Sequence, residues 1–208
     1  MIKRAIVQCV VVVTLLCLTT ACMQNQPVQL TSRSVITSVQ ARTPTDSNVQ
    51  NLQQRPLHFP SIAVGATCPT TPLKKVTSSF GIAQGEGPAY ATIGQEKLEA
   101  QAVLYYIDAK RFGNGVSENQ GWGGQKVLWF VDPHYQGLVL IRGHQIDGTH
   151  EIRFDQGLES QLVLDTTTGG GPWPNRTSYT RLQAPGCYAY QVDGSNFSYI
   201  IVFRAILE

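Results

Sequence analysis

The sequence predicts an all-β domain, an antiparallel sandwich or barrel, on two observations. From about Pro88 onward, short runs of β-branched and aromatic residues alternate with turn signals. The separators suit tight reversals: Asp132-Pro133, Asp147-Gly148, Gly169-Gly170-Gly171, Pro185-Gly186 and Asp193-Gly194. Asp-Gly pairs favour hairpins because the turn needs positive φ. Composition agrees, with charged residues at only 14% and Gly, Thr, Ser and Tyr plentiful, a balance that suits an extracellular β-rich fold.

Strands are expected near 89–93, 102–107, 125–131, 137–146, 150–154, 161–164, 178–183, 187–192 and 197–205. In Val127-Leu128-Trp129-Phe130-Val131 both alternating sets are apolar, so this strand should be central and covered on both sides. The last strand places Phe197, Tyr199, Ile201 and Phe203 on one face. Residues 94–101 carry helix formers but are too few for more than a turn or a single helical turn.

The N-terminus reads as a targeting segment. Lys3 and Arg4 precede an apolar run from Ala5 to Leu18, and Thr19, Thr20 and Ala21 lead to Cys22. A run this short with a small-residue exit is a signal peptide rather than a membrane span. It resembles a bacterial lipoprotein signal, which implies cleavage before Cys22 and acylation of that cysteine. It departs from that pattern at Thr19, where Leu is preferred. The other reading is ordinary cleavage nearby, with Cys22 a free thiol. The expected organisation is a signal over 1–21, a flexible polar tether over 22–59 and the β-sandwich over 60–208. The tether has few bulky apolar residues to bury, so the entropy of ordering it should win.

The formal charge is +2, and loss of Lys3 and Arg4 with the signal leaves the mature chain close to neutral. That gives no field for nucleic acid and no polybasic membrane patch. Cys9 and Cys17 lie in the signal and Cys22 takes the lipid, so Cys68 and Cys187 remain as one pair. Export and the flanking turn signals favour a disulfide, against two separate buried thiols.

The segment Ala184-Pro185-Gly186-Cys187-Tyr188-Ala189-Tyr190-Gln191-Val192-Asp193-Gly194 followed by 197–203 resembles the last hairpin of bacterial immunoglobulin-like domains. With Gly121-Trp122-Gly123-Gly124 and the 140–148 stretch, the chain resembles uncharacterised exported proteins of Gram-positive and Chloroflexi-type bacteria, in which Gly-Cys-Trp or Gly-Cys-Tyr occupies that hairpin. The resemblance covers Pro88 to the end. It implies an immunoglobulin-like antiparallel β-sandwich and no activity; with the tether read from composition, the expected fold is such a sandwich behind a disordered N-terminal tether.

Candidate sites are few. His144, Asp147 and His150 could bind a metal if a three-residue loop set the histidines opposite each other. Otherwise Asp147-Gly148 is simply the turn. Trp129 is expected in the core, packed against the disulfide as in immunoglobulin domains. Trp122 and Trp173 lie in Gly- and Pro-rich loops and are either ligand-binding aromatics or plugs for the ends of the sandwich. No phosphate loop and no Gly-x-Ser-x-Gly elbow is present, and no catalytic residue or cofactor is assigned. The expected protein is a non-enzymatic envelope lipoprotein held to the outer face of the membrane by its lipid, whose end loops bind an envelope protein, a glycan or a small ligand. A metal-assisted hydrolase and a purely structural envelope protein are the alternatives.

Overall fold

A computed structural model describes residues 44–77, 80–94, 101–112, 120–168 and 172–208. The expected signal, Cys22, the first part of the expected tether, residues 95–100 of the turn expected at 94–101, and Gly169-Gly170-Gly171 lie outside them. The elements in chain order are α1 (Pro44–Gln53), β1 (Lys74–Thr77), β2 (Gly81–Ala83), β3 (Ala89–Thr92), β4 (Val103–Tyr106), α2 (Ala109–Phe112), β5 (Gly123–Val131), β6 (Leu138–Gln145), β7 (Arg153–Phe154), β8 (Leu162–Asp165), β9 (Asn175–Leu182), β10 (Gly186–Asp193) and β11 (Ser198–Leu207).

The strands form a five-stranded sheet, β4–β11–β10–β6–β8, a four-stranded sheet, β3–β5–β9–β7, and a β1–β2 ribbon. The pairings are antiparallel, as expected, except for the parallel pair of β11 with β4. β1 and β2 were not predicted, because Lys74-Lys75 breaks any apolar alternation. β7 keeps only Arg153–Phe154 of the predicted 150–154 strand.

The two larger sheets share one core. Val127, Trp129 and Val131 of β5 meet Tyr188, Tyr190 and Val192 of β10 and Tyr199, Ile201 and Phe203 of β11, with Phe197 packed alongside. The predicted inward face of the last strand is therefore the observed one. Trp129 meets Tyr190 edge-on at 5.1 Å between ring centroids, and the Tyr190 hydroxyl shares a hydrogen bond of 2.6 Å with Thr180 of β9. The other face of β5 is covered too. Phe130 stacks with Phe80 at 4.5 Å and Tyr90 at 5.3 Å and meets Trp173 edge-on at 5.8 Å.

Cys68 and Cys187 form a disulfide with 5.5 Å between their Cα atoms. It does not touch Trp129, which corrects the expected packing. Strand alternation sends Tyr188 inward and Cys187 outward, and Cys187 joins Ala189, Val202, Ile146, Phe59 and Ile62 in a separate cluster on the outer face.

That outer face is roofed by the chain ahead of the strands, and here the expected tether is corrected at its second half. Leu52 of α1 is buried against Leu138 and Leu140 with Val49 beside it, the i, i+3 spacing placing both on one helix face. Arg142 Nη1 donates to the carbonyls of Gln53 (3.3 Å) and Arg55 (3.1 Å), and its Nη2 donates to the fully buried Asp193 at 2.7 Å. Arg55 in turn donates to the carbonyls of Phe197 and Ser195 at 2.8 and 2.9 Å. Further along, Ile62 N–H donates to Ile146 O at 3.0 Å and Thr71 N–H to Val202 O at 2.8 Å. These partners lie far away in sequence, so the local composition of 44–59 does not reveal them.

Candidate functional site

The two sheets part at one flank. β8 is an outer strand of the larger sheet, and β7 pairs with β9 only at Arg181 and Thr180, so among the described residues the Asn175 end of β9 has no strand on the side away from β5. Between β8 and this end of β9 lies a crevice of about 320 Å³. Val131, Val163, Leu164 and Pro174 supply its apolar surface, and Asp165, Thr166, Thr168, Asn175 and Arg176 its polar surface.

Each polar side chain is fixed. Arg176 spans the gap, its Nη1 donating to Val163 O at 3.0 Å and its Nη2 to Asp155 Oδ2 at 2.5 Å. Asp155 is at φ 53°, a region in which Asp is enriched among non-glycine residues. It also accepts from the Ser178 hydroxyl at 2.7 Å and Tyr179 N–H at 3.2 Å. Asp165 Oδ1 accepts from the backbone and hydroxyl of Thr167 at 2.9 and 2.6 Å. Thr166 accepts from Gly137 N–H and donates to Gly137 O, at 2.8 and 3.0 Å. Asn175 Nδ2 donates to Trp173 O at 3.0 Å, which leaves its carbonyl oxygen for a guest. The lining holds no histidine or cysteine. It offers placed hydrogen bonds, one cation and apolar walls, which suits binding a small polar molecule.

The predicted aromatics fare differently. Trp173 is half-buried; it covers Phe130 at 5.8 Å and Phe80 at 6.2 Å, and Pro174 joins it to the crevice. Trp122 is only 8% exposed. Its side chain is buried, so it offers a ligand little open surface. The β5–β9 register, Gly123 opposite Leu182 and Phe130 opposite Asn175, sets the two tryptophans at opposite ends of the sheet.

The proposed metal ligands are not brought together. His144 bridges to Glu151, and Gln145 N–H donates to His150 O at 2.8 Å, so the turn spans Ile146-Asp147-Gly148-Thr149. That register sends His144 and His150 to opposite faces. Asp147 Oδ2 instead accepts the Cys187 N–H at 3.0 Å. Among the described residues, no group of three or more His, Cys, Asp or Glu side chains could hold a metal. His134 sits beside Asp132, whose carboxyl is held below its ordinary pKa chiefly by the His134 backbone N–H.

The site residues that sequence reasoning missed are Asp155, Asp165, Asn175 and Arg176. Their one signal was position, since Asn175-Arg176 directly follows Trp173-Pro174.

Comparison with protein families gives no match, and comparison with curated proteins gives none either. Among solved structures, a crystal structure of a candidate lipoprotein from Bacillus anthracis matches at 14% identity and TM-score 0.40, over 81% of this chain and 100% of that one. A likeness this remote carries neither fold nor function.

Proposed function

We propose that this chain is an exported envelope lipoprotein, anchored through Cys22, whose domain is an immunoglobulin-like binding module that holds a small polar ligand in the crevice beside Trp173. The crevice carries this reading. It is a pocket of ligand size, with fixed polar groups and without a nucleophile–base pair among its lining residues.

Two features support the immunoglobulin-like assignment. β3–β5–β9–β7 stands where such domains place strands A, B, E and D, and β6, β10 and β11 stand where they place C, F and G. β8 lies beside β6 like an added C′ strand, although here β7 precedes β8 in the chain. Tyr188, near the start of β10, donates its hydroxyl to Ala184 O at 2.8 Å. This bond is similar to the tyrosine corner of that fold. Tyr190 then occupies the position of the cysteine of strand F and packs on Trp129 of β5. The anchor rests on the Lys3-Arg4, apolar and small-residue pattern ending at Cys22.

A photo-crosslinking residue placed at exposed Asn175 in native envelopes tests the binding reading. A discrete adduct at Asn175, absent when the crosslinker is at exposed Lys75, which lines neither the crevice nor the pocket at the disulfide, supports it. Equal adducts at both positions, or none at either, overturn it. For the anchor, Cys22→Ser should move the protein out of the detergent phase, and an unmodified N-terminus on the native protein defeats the idea.

A further inference from the structure

We propose a second binding site at the disulfide end, for a small zwitterion whose ammonium group meets Asp147 and whose carboxylate meets Arg204. It stands apart from the crevice. Leu138 of β6 pairs with Asp165 of β8 at the crevice end, whereas Gln145 of β6 pairs with Tyr188 near the start of β10.

A pocket of about 550 Å³ opens there, walled by the disulfide, Asp147, Gly186 and Arg204, with Thr67, Thr70 and Gln101 among its polar lining. Asp147 uses one carboxylate oxygen on the Cys187 N–H at 3.0 Å. The other oxygen, Oδ1, is buried and has no hydrogen-bond partner. An unpaired buried carboxylate oxygen is costly and is best satisfied by a cationic donor. Gly186 makes the arrangement possible. It sits at φ +156°, and a Cβ there would come within 2.9 Å of Asp147 Oδ1 and 2.4 Å of Gln145 Nε2.

The opposite charge is next door. Arg204 is the Cα partner of Cys187 across β10 and β11, so acid and guanidinium flank the same residue. Arg204 is exposed, and its guanidinium forms no ion pair or hydrogen bond among the described residues. One carboxylate and one guanidinium lining the same pocket fit a molecule with a positive and a negative end. A free amino acid and a dipeptide share that chemistry, and the pocket is large enough for either.

Calorimetry or NMR titration of the disulfide-intact chain with L-alanine and with L-alanyl-L-alanine separates those two sources, and saturable binding of either supports the site. N-acetylation or amidation of the ligand should each weaken binding roughly tenfold or more, the loss of one charge-assisted hydrogen bond. Asp147→Asn, which keeps an acceptor for the Cys187 N–H, should erase the penalty for N-acetylation. Arg204→Gln should erase the penalty for amidation. Arg204 is exposed, so its variant decides the matter if Asp147→Asn does not fold. No binding of either zwitterion, equal binding of the blocked forms, or unchanged affinity in both variants overturns the proposal. Asn175→Ala serves as the control for the crevice and should leave this binding unchanged.

Discussion

Tyr190 reaches Trp129 with its ring and Thr180 with its hydroxyl, and so joins the two sheets by an apolar and a polar contact at once. Tyr190→Phe keeps the ring and strands the Thr180 hydroxyl in a fully buried position, at an expected cost of about 1–2 kcal/mol. Trp129→Ala opens the core itself and should cost about 3–5 kcal/mol. Urea denaturation of both variants measures the difference. Equal losses would show that the hydroxyl pair contributes as much as the indole.

The ion pair of Arg142 with Asp193 is shielded from water, with side-chain exposures of 14% and 0%. Among the described residues, Arg142→Ala leaves Asp193 with only the longer 3.9 Å approach of Arg55 as a cationic partner. It should cost about 3 kcal/mol, as breaking a buried pair does. The Gln53 and Arg55 carbonyls lose their donor in the same variant, so limited proteolysis should cut near Arg55 sooner than in the parent chain.

The disulfide joins cysteines 119 residues apart. Loop-closure entropy values such a bond at about 4–5 kcal/mol, though measured effects often fall short. Replacing both cysteines by serine should lower the melting temperature, and hydrogen exchange should rise first at Ile62 and Thr71, whose backbone bonds hold the roof. Unchanged exchange there would mean that the roof is held by its apolar contacts alone.

How much of this was legible beforehand depended on distance along the chain. Alternation in Val127–Val131 revealed a strand covered on both faces, because each side chain reports its own burial. Pro185-Gly186 and Tyr188 are local, and the resemblance found that segment, but not the bond from the Tyr188 hydroxyl to Ala184 O. The Asp193-Gly194 pair read correctly as a turn, but nothing nearby announced that Asp193 would hold Arg142 from β6. Leu52 looked like one apolar residue in a polar stretch until the fold supplied Leu138 and Leu140. The crevice was the least legible. Arg176, Asp155 and Asp165 sit on different segments, and only the short β7 leaves the gap between them.

The tryptophans make a paired prediction. Trp122→Ala removes a buried plug and should cost about 3–5 kcal/mol. Trp173→Ala uncovers one edge of Phe130, which Phe80 and Tyr90 still cover, and should cost less, on the order of 1 kcal/mol. Thermal melts of both variants check this order. The reverse order would mean that Trp173 is the true plug.

Several buried tyrosines predict an alkaline limit. Burial raises the Tyr106 pKa from 10.0 to about 12, with Asp108 adding to the shift. Burial likewise raises Tyr188, Tyr190 and Tyr199. Above the ordinary value of 10.0 the unfolded chain loses these protons while the folded chain keeps them. Stability is therefore complete below that pH and falls as pH rises through it toward the folded values. Tyrosinate absorbance should show a fraction of the tyrosines ionising only with the unfolding transition. Smooth titration of all tyrosines before unfolding would contradict it.

The Cys68–Cys187 bond also determines how the molecule meets a mechanical load. Tension arriving from the N-terminal side can strip the roof as far as Cys68, where the covalent link passes it directly into β10. β10 lies between β11 and β6, inside the sheet. Unravelling from that direction halts there, with the intervening strands in a closed ring that cannot be drawn out. Under such a load the described chain would give up slack ahead of Cys68 and then hold.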